Sequence, residues 1–550
     1  MKRIVTNLMI VALTTTIAFG QIDFTKTETQ TVSRQLLIND FNTFIEYLEE
    51  THPDPYSSYG GLPEFKRKAQ GLRNKITDDT TVEQLKEMMR GFVSVLNDGH
   101  TLIIGNEQTG TVQGYLPLHL SVATDGIFIS ETDKNYIQYR GAFVESVNDI
   151  PIDSLLNNVR QIRSTENRYG IYWELCNLLS SKAGYALLFS DSEKIKFALK
   201  ITNKEPENVY LNYVPEPDWN KQSSTVELNN DNNLLYKQFL ENNNQSIGYF
   251  VWNGMSSREM VEEVAKNSPA YLEMNLNSIY NNSLLIPQPD DDKQAIEGIP
   301  ALYPTFLELL KSMKEQKTEY LIIDLRYNGG GTTPLCRPLL YMLYGDKYLN
   351  YDCKAEYNRR LSRLQLKKWG VDSIQQYNIG NNTNLLSGDF TFGYFFGSQN
   401  TKSIEEKRKD LSLISYSNGI GSEYTKDLNG KPIHEPVVIV LTSPRTFSAA
   451  YHFTYFLSQI GKAYIVGVPS RQAGNTFMET TNFELPNTNI SGSISNSLQV
   501  FFPDDLEKGK VLMPDFAMNW TDFAKYNFDS NAEILFVLDL IKNGRLSGRK

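Results

Sequence analysis

Ser448 stands in TSPRTFSAAYHF, where the β-branched run VVIVLT gives way to a helical pattern. A serine at such a turn becomes a nucleophile when a base reaches its hydroxyl. The amide of Ala449 would then lie among the free N–H groups of the helix start, suited to hold a developing oxyanion. The same serine also reads as the cap or a buried residue of that helix. Pro444 ends the strand and Thr446 is a candidate cap. The surroundings are not a G-x-S-x-G elbow, and the residues alone leave both readings open.

Two other stretches carry chemistry. In DLRYNGGG, from Asp324 to Gly331, an apolar strand runs into three glycines. This bares backbone at the carboxyl end of a strand, where open α/β sheets hold ligands. The amide of Gly329 or Gly330 is a candidate second oxyanion donor; a plain tight turn is the alternative. Asp324 and Arg326 are read as braces of that turn. The spacing fits neither a phosphate loop nor a dinucleotide fingerprint. In LNDGHT, His100 titrates near neutrality and suits a general base, with Asp98 near enough in sequence to orient it. His452, four residues beyond Ser448 on the same helix face, is the rival imidazole. His52, His119 and His434 read as loop, strand and pre-strand residues.

These residues need elements to hold them. Residues 33–96 carry apolar positions at three-to-four spacing, and Thr81 with Gln84 forms a capping-box pattern. A helical module over 21–111 is expected, ending at LNDGHT. Residues 112–205 alternate in short strands, with a two-residue bend at Asn148-Asp149. Residues 206–245, rich in Asn, Pro and Glu, read as a linker or surface excursion. From 246 to 550, strand, helix and strand recur, which predicts a parallel or mixed sheet covered by helices. Polar insertions are expected near 262–300 and 350–430, the second holding NRRLSRLQLKKWG as a basic amphipathic helix.

Composition narrows the classes. Of 550 residues, 40% are apolar and 21% charged, an ordinary globular balance. A net charge of -10 argues against a broad nucleic-acid-binding surface. The start, MKRIVTNLMIVALTTTIAFGQ, reads as a secretory signal over 1–20: two cations, a short apolar core, then small residues. An exported product of the periplasm or cell surface is expected, without stable membrane insertion. Cys176, Cys336 and Cys353 lack zinc-site spacing, and an odd number leaves at least one thiol unpaired.

Taken in order, LNDGHT, DLRYNGGG and LTSPRTFSAAYHFTYFLSQIGKAYIVG resemble three signatures of the C-terminal processing, or tail-specific, serine peptidases. That family includes the tricorn core and the interphotoreceptor retinoid-binding protein repeats. FELPNTNISGSI followed by VLMPDFAMNWTDF resembles its closing strands, and GAFVESVNDIPI a divergent PDZ-like module. The resemblance covers nearly the whole chain after the leader, apart from the insertions. It implies an α/β multi-domain protein with a crotonase-like catalytic core. It implies Ser448 as nucleophile, and Ala449 with Gly329 or Gly330 as oxyanion donors. The lysine that tail-specific members use is missing: the position falls at Ala473 in GVPSRQAGN. Tricorn-like members use a histidine, matched by His100, and a glutamate before the closing PD. Glu507 is the nearest match, about one position out of register, with Asp504 or Asp505 as substitutes. Two further departures are Tyr451, at the family's acidic position three after the serine, and Gly99, where tricorn has serine. The implied activity is peptide hydrolysis through an acyl-enzyme, on peptide or unfolded protein, without metal or organic cofactor. The rivals are a non-catalytic peptide or apolar-ligand binder and an esterase or amidase.

Overall fold

The computed structural model describes residues 32–548 apart from 105–113, 190–193, 203, 221–223, 229–232, 243–244, 394–401 and 414–423. The leader read at 1–20 lies outside the described residues. Among those described, no helix is long and apolar enough to cross a membrane.

The central sheet has six strands. Phe516–Ala517, Tyr464–Gly467, Val437–Thr442, Tyr320–Asp324 and Gln245–Trp252 run parallel in that spatial order, and Leu235–Asn242 closes the edge antiparallel. The middle strands are buried on both faces, which is why Tyr320–Asp324 and Val437–Thr442 read as continuous apolar runs instead of alternating ones. Helices Leu302–Gln316, Cys336–Tyr344 and Ala449–Ile460 bury their apolar faces in the largest core. Ala532–Lys542 contributes Ile534, Val537, Leu540 and Ile541 to a second core that also holds Ile322, Ile439 and Val466 of the sheet.

A second, antiparallel sheet is organised around Ser491–Val500. Asn475–Glu484 pairs along its length, Leu102–Ile104 pairs with Ser491 to Ser493, and Glu356–Arg360 with Ser497 to Val500. One short strand after LNDGHT thus stitches the N-terminal helices onto the C-terminal part of the chain. The crotonase-like core implied by the sequence is therefore corrected. The central sheet does not build the site alone; a separate antiparallel sheet joins to it a strand from the helical region and another from the 350–430 region. The text NRRLSRLQLKKWG is corrected too. It divides into strand, up to Arg360, and the short helix Arg363–Lys368, capped by Ser362, with Gln365 and Leu366 buried. Strand pairing with Ser491–Val500 wins over helical periodicity there. The 262–300 segment also contributes buried apolar side chains, among them Leu276, Ile279, Tyr280 and Leu284.

Three helices, Arg34–Thr51, Leu62–Lys75 and Val82–Val93, form the N-terminal unit. Thr81 and Gln84 form the reciprocal capping box at the third. A third sheet, antiparallel, spans Leu118–Ala123, Gly126–Thr132, Phe143–Val147, Ile195–Lys200 and Glu207–Leu211. Asn148 and Asp149 take positive φ in its two-residue hairpin. All three cysteines are free thiols.

Asp40 clamps the first helix to the turn before Ser491. It is fully buried and accepts from the backbone and side chains of Asn487 and Thr488, with Thr488 N and Oγ1 both at 2.7 Å. Asp40→Ala is expected to cost about 1–3 kcal/mol, because it leaves the half-buried donors of Asn487 and Thr488 without their acceptor. Urea denaturation reads this directly, and a midpoint matching the parent's would show the clamp to be idle.

Candidate active site

Ser448 sits between the central strand Val437–Thr442 and the helix Ala449–Ile460, with φ 53° and ψ −124°. A serine with positive φ costs about 1–3 kcal/mol and needs its surroundings to hold it. Its neighbours do so. Gln472 accepts the Ser448 N–H through Oε1. The Phe447 N–H donates to the Asn328 carbonyl at 3.0 Å. Thr446 Oγ1 donates to the Leu325 carbonyl at 2.8 Å. Thr446 is thus spent on the turn and does not cap the helix. Ser448 is the N-cap residue by position, yet its side chain makes no capping hydrogen bond. The hydroxyl is not committed to holding the helix.

The glycine turn reaches the serine from the adjacent strand. A Cβ added at Gly330 would lie 2.6 Å from Ser448 Cβ and 3.1 Å from the Ala449 nitrogen, and Gly330 has φ 104°. Only glycine permits this approach. Its N–H donates to Asn328 Oδ1 at 2.9 Å, so Gly330 supplies proximity and its amide is already engaged. At Gly329 an added Cβ would meet nothing within 4 Å. Ala449 is the first residue of its helix, so its N–H has no intrahelical acceptor. Asp324 and Arg326 lie beneath. The guanidinium grips Asp324 through Nε and Nη2, reaches Glu533 at 2.7 Å, and Tyr249 donates to Asp324 at 2.7 Å. This buried network anchors the strand end.

His100 arrives from the distant turn. Its ring stacks on Phe447 with centroids 4.7 Å apart, bringing the imidazole beside the residue preceding Ser448. Both ring nitrogens are buried without a tight hydrogen bond, and none joins His100 to Ser448 in this structure. Catalytic contacts of this kind are commonly long before substrate binds. Nδ1 lies 3.5 Å from Glu166 Oε1. Burial pulls the His100 pKa down, but the hydrogen-bonding and charge of Glu166, with the charge of Asp98, outweigh it, and the net shift is upward from 6.5.

Glu166 was not among the residues singled out from the sequence. It lies just before the helix Arg168–Leu179, and its carboxylate is almost wholly buried. Oε2 accepts the Ala473 N–H at 2.8 Å and Oε1 the Gly99 N–H at 3.3 Å. The position where the family lysine is missing therefore supplies a backbone donor to the acid beside His100. Gly99 matters for the same reason: an added Cβ would lie 2.9 Å from Glu166 Oε1. No local motif marks Glu166; its signal would have been an acid flanking a helix start, too common to choose.

Glu507 is corrected. It lies on the short helix Leu506–Lys510, its side chain 83% exposed and paired with Lys510 at 2.7 Å. Asp505 caps that helix through the Lys508 N–H, and no contact ties Asp504 or Asp505 to His100. Asp98 shapes the turn and does not orient the ring. Oδ1 accepts the His100 backbone N–H at 2.8 Å; Oδ2 accepts from Thr101 and lies 3.3 Å from His52 Nε2. Burial raises the Asp98 pKa, but these partners prevail and hold it below the ordinary carboxylate value. Donor atoms of Asp98, His100 and Glu166 lie within 4.8 Å of one another, spacing a metal ion would accept. The carboxylates are instead occupied by backbone and side-chain donors. His452 faces Thr333, with Nδ1 2.8 Å from its hydroxyl, and burial drives its pKa to about 3. It is a neutral core histidine. Tyr451 is buried behind the serine, its phenol pushed well above its ordinary pKa by desolvation.

Comparison with known proteins bears on the family and the fold. Residues 298–500 match the model of peptidase family S41. Mature CPAF superposes with TM-score 0.52 at 15% identity, over 92% of this chain and 98% of that one. A CPAF point mutant gives 0.54 at 15%, over 93% and 98%. CPAF complexed with lactacystin gives 0.50 at 15%, over 92% and 99%. At such identity the likeness concerns the fold, which is CPAF-like over nearly the whole chain and not crotonase-like in its core. No curated protein matches the chain. The matched segment runs from before the glycine turn through Ser448 to the end of the strand Ser491–Val500, and over that segment the chain is similar to peptidase family S41.

Proposed function

We propose that Ser448 is the nucleophile of this peptidase, His100 its general base and Glu166 the acid that orients the base. One observation carries the reading: a buried imidazole with an unpartnered Nε2 is stacked against the residue next to a strained serine whose hydroxyl does no capping. Glu166 at Nδ1 favours the tautomer with its proton on Nδ1, which leaves Nε2 free to accept. Ser448 Oγ attacks the scissile carbonyl carbon as Nε2 takes its proton. The carbonyl oxygen becomes an anion held by the amides of Ala449 and Gly329, the Gly330 amide being engaged by Asn328. Collapse breaks the C–N bond, Nε2 returns the proton to the leaving amine, and water repeats the cycle on the acyl-enzyme. The substrates are peptides or unfolded protein segments, and the leader read at the N-terminus fits action outside the cytoplasm.

A fluorophosphonate probe is expected to label Ser448, identified by peptide mass mapping, in a protein that cleaves denatured casein. Casein cleavage with no modification of Ser448 would move the chemistry elsewhere. The base must be neutral to act, and its pKa is raised. So kcat/KM is expected to rise with pH through an apparent pKa above 6.5 and to be lost as pH falls through it. A limb well below 6.5 in a pH–rate profile would contradict the Glu166 contact.

A further inference from the structure

Two guanidinium groups stand beside the site, neither forming an ion pair with a carboxylate among the described residues. Arg445 lies 5.5 Å from the Trp173 ring centre and 5.3 Å from that of Tyr327. Arg471 lies 5.7 Å from the same Trp173 ring and 4.6 Å from that of Phe447, the ring on which His100 stacks. Two like charges therefore share one indole, one of them a single ring away from the base. Arg445 is exposed and Tyr327 is 48% exposed, so the cluster opens to solvent. The acids whose charge Arg471 feels, Glu174 and Glu166, are engaged elsewhere: Glu174 with Arg163 at 3.7 Å, Glu166 with His100 and the Ala473 amide. Burial and the neighbouring Arg445 hold the Arg471 pKa below its ordinary value, the mark of a cation short of compensating charge.

We infer that Arg445 and Arg471, on the Trp173 platform, form a subsite that binds a carboxylate of the peptide substrate next to the scissile bond. This rests on the catalytic reading above and adds a substrate class to it. Ring stacking holds the planar guanidinium groups in place while leaving their N–H edges for an acceptor, and a carboxylate takes two such bonds at once. A bound anion also relieves the repulsion between the cations. The carboxylate has two sources, an acidic side chain or the free end of the chain.

The test uses quenched-fluorescence peptides that place Glu or Gln at each position flanking the cleaved bond, each made with a free acid or an amidated terminus. Wild-type kcat/KM is expected to favour Glu over Gln by about 10- to 100-fold at one position if the side chain is read. The same margin between acid and amide would identify the chain end. Arg445→Glu and Arg471→Glu are expected to erase the margin, and Arg445→Glu to favour Lys at that position, which shows a folded enzyme. Wild-type cleavage that is indifferent to both substitutions, or a margin that survives both charge reversals, overturns the subsite and leaves the peptidase reading intact. Failure to cleave any peptide, with casein also untouched, overturns the catalytic reading and the subsite with it.

Discussion

Ser448→Ala is expected to lower kcat by about 10⁶, the order seen when a nucleophile acting with its base is removed. The residual rate, about 10³–10⁴ above water, comes from oxyanion donors and substrate positioning that the mutation leaves in place. Stability is expected to stay within about 0.5 kcal/mol of the parent. That separation is what makes the variant informative. A capping serine replaced by alanine costs about 1 kcal/mol and leaves catalysis alone. Here the side chain makes no capping bond, so the loss falls on rate. The strained φ of 53° costs Ser and Ala alike, and the Gln472 bond to the backbone N–H survives. Peptide affinity, read by calorimetry on the variant, is expected to be unchanged because the hydroxyl touches the carbonyl carbon only during reaction. A variant that keeps its turnover but unfolds earlier would return Ser448 to the role of cap.

What the sequence made legible follows from how local each signal is. The strand Tyr320–Asp324 with its glycines, the strand Val437–Thr442 and the helix after Ser448 announce themselves by continuous apolar text and punctuation, because buried parallel strands and a packed helix impose those patterns nearby. The meeting of His100 with the serine's neighbour was approached only through ordered motifs. The contact itself is created by Leu102–Ile104 pairing with a strand near the far end of the chain, and nothing local encodes that pairing. Glu507 had a motif position but ends in solvent, while Glu166 had none and ends beneath the imidazole. The difference is tertiary: a carboxylate is selected by the amides it can accept, here those of Gly99 and Ala473, and backbone donors leave no trace in residue identity. The crotonase-like core failed for a related reason. The resemblance reported the central sheet, whereas the site also depends on an antiparallel sheet assembled from three distant stretches.

Glu166→Gln separates that acid's roles. Glutamine matches the shape, but its carboxamide has one acceptor where the carboxylate had two. With its oxygen toward His100 Nδ1, its NH₂ faces the Ala473 N–H, donor against donor; flipped, it faces Nδ1 with a donor and favours the wrong tautomer. The kcat is expected to fall by about 10²–10³, less than the roughly 10⁴ known for a tighter acid–histidine pair, because the contact here is 3.5 Å. The sign of the pH effect is set by what remains. With the Glu166 charge gone, burial and the nearby Arg471 both lower the His100 pKa, and only Asp98 opposes them. The acid limb of kcat/KM therefore moves to lower pH while the plateau drops. A purely structural Glu166, holding Ala473 and Gly99 in place, would lower thermal stability and leave the limb where it was. Glu166→Asp, which keeps the charge but shortens the reach, is expected to retain the raised limb and part of the rate, and its failure to do either would remove Glu166 from the base.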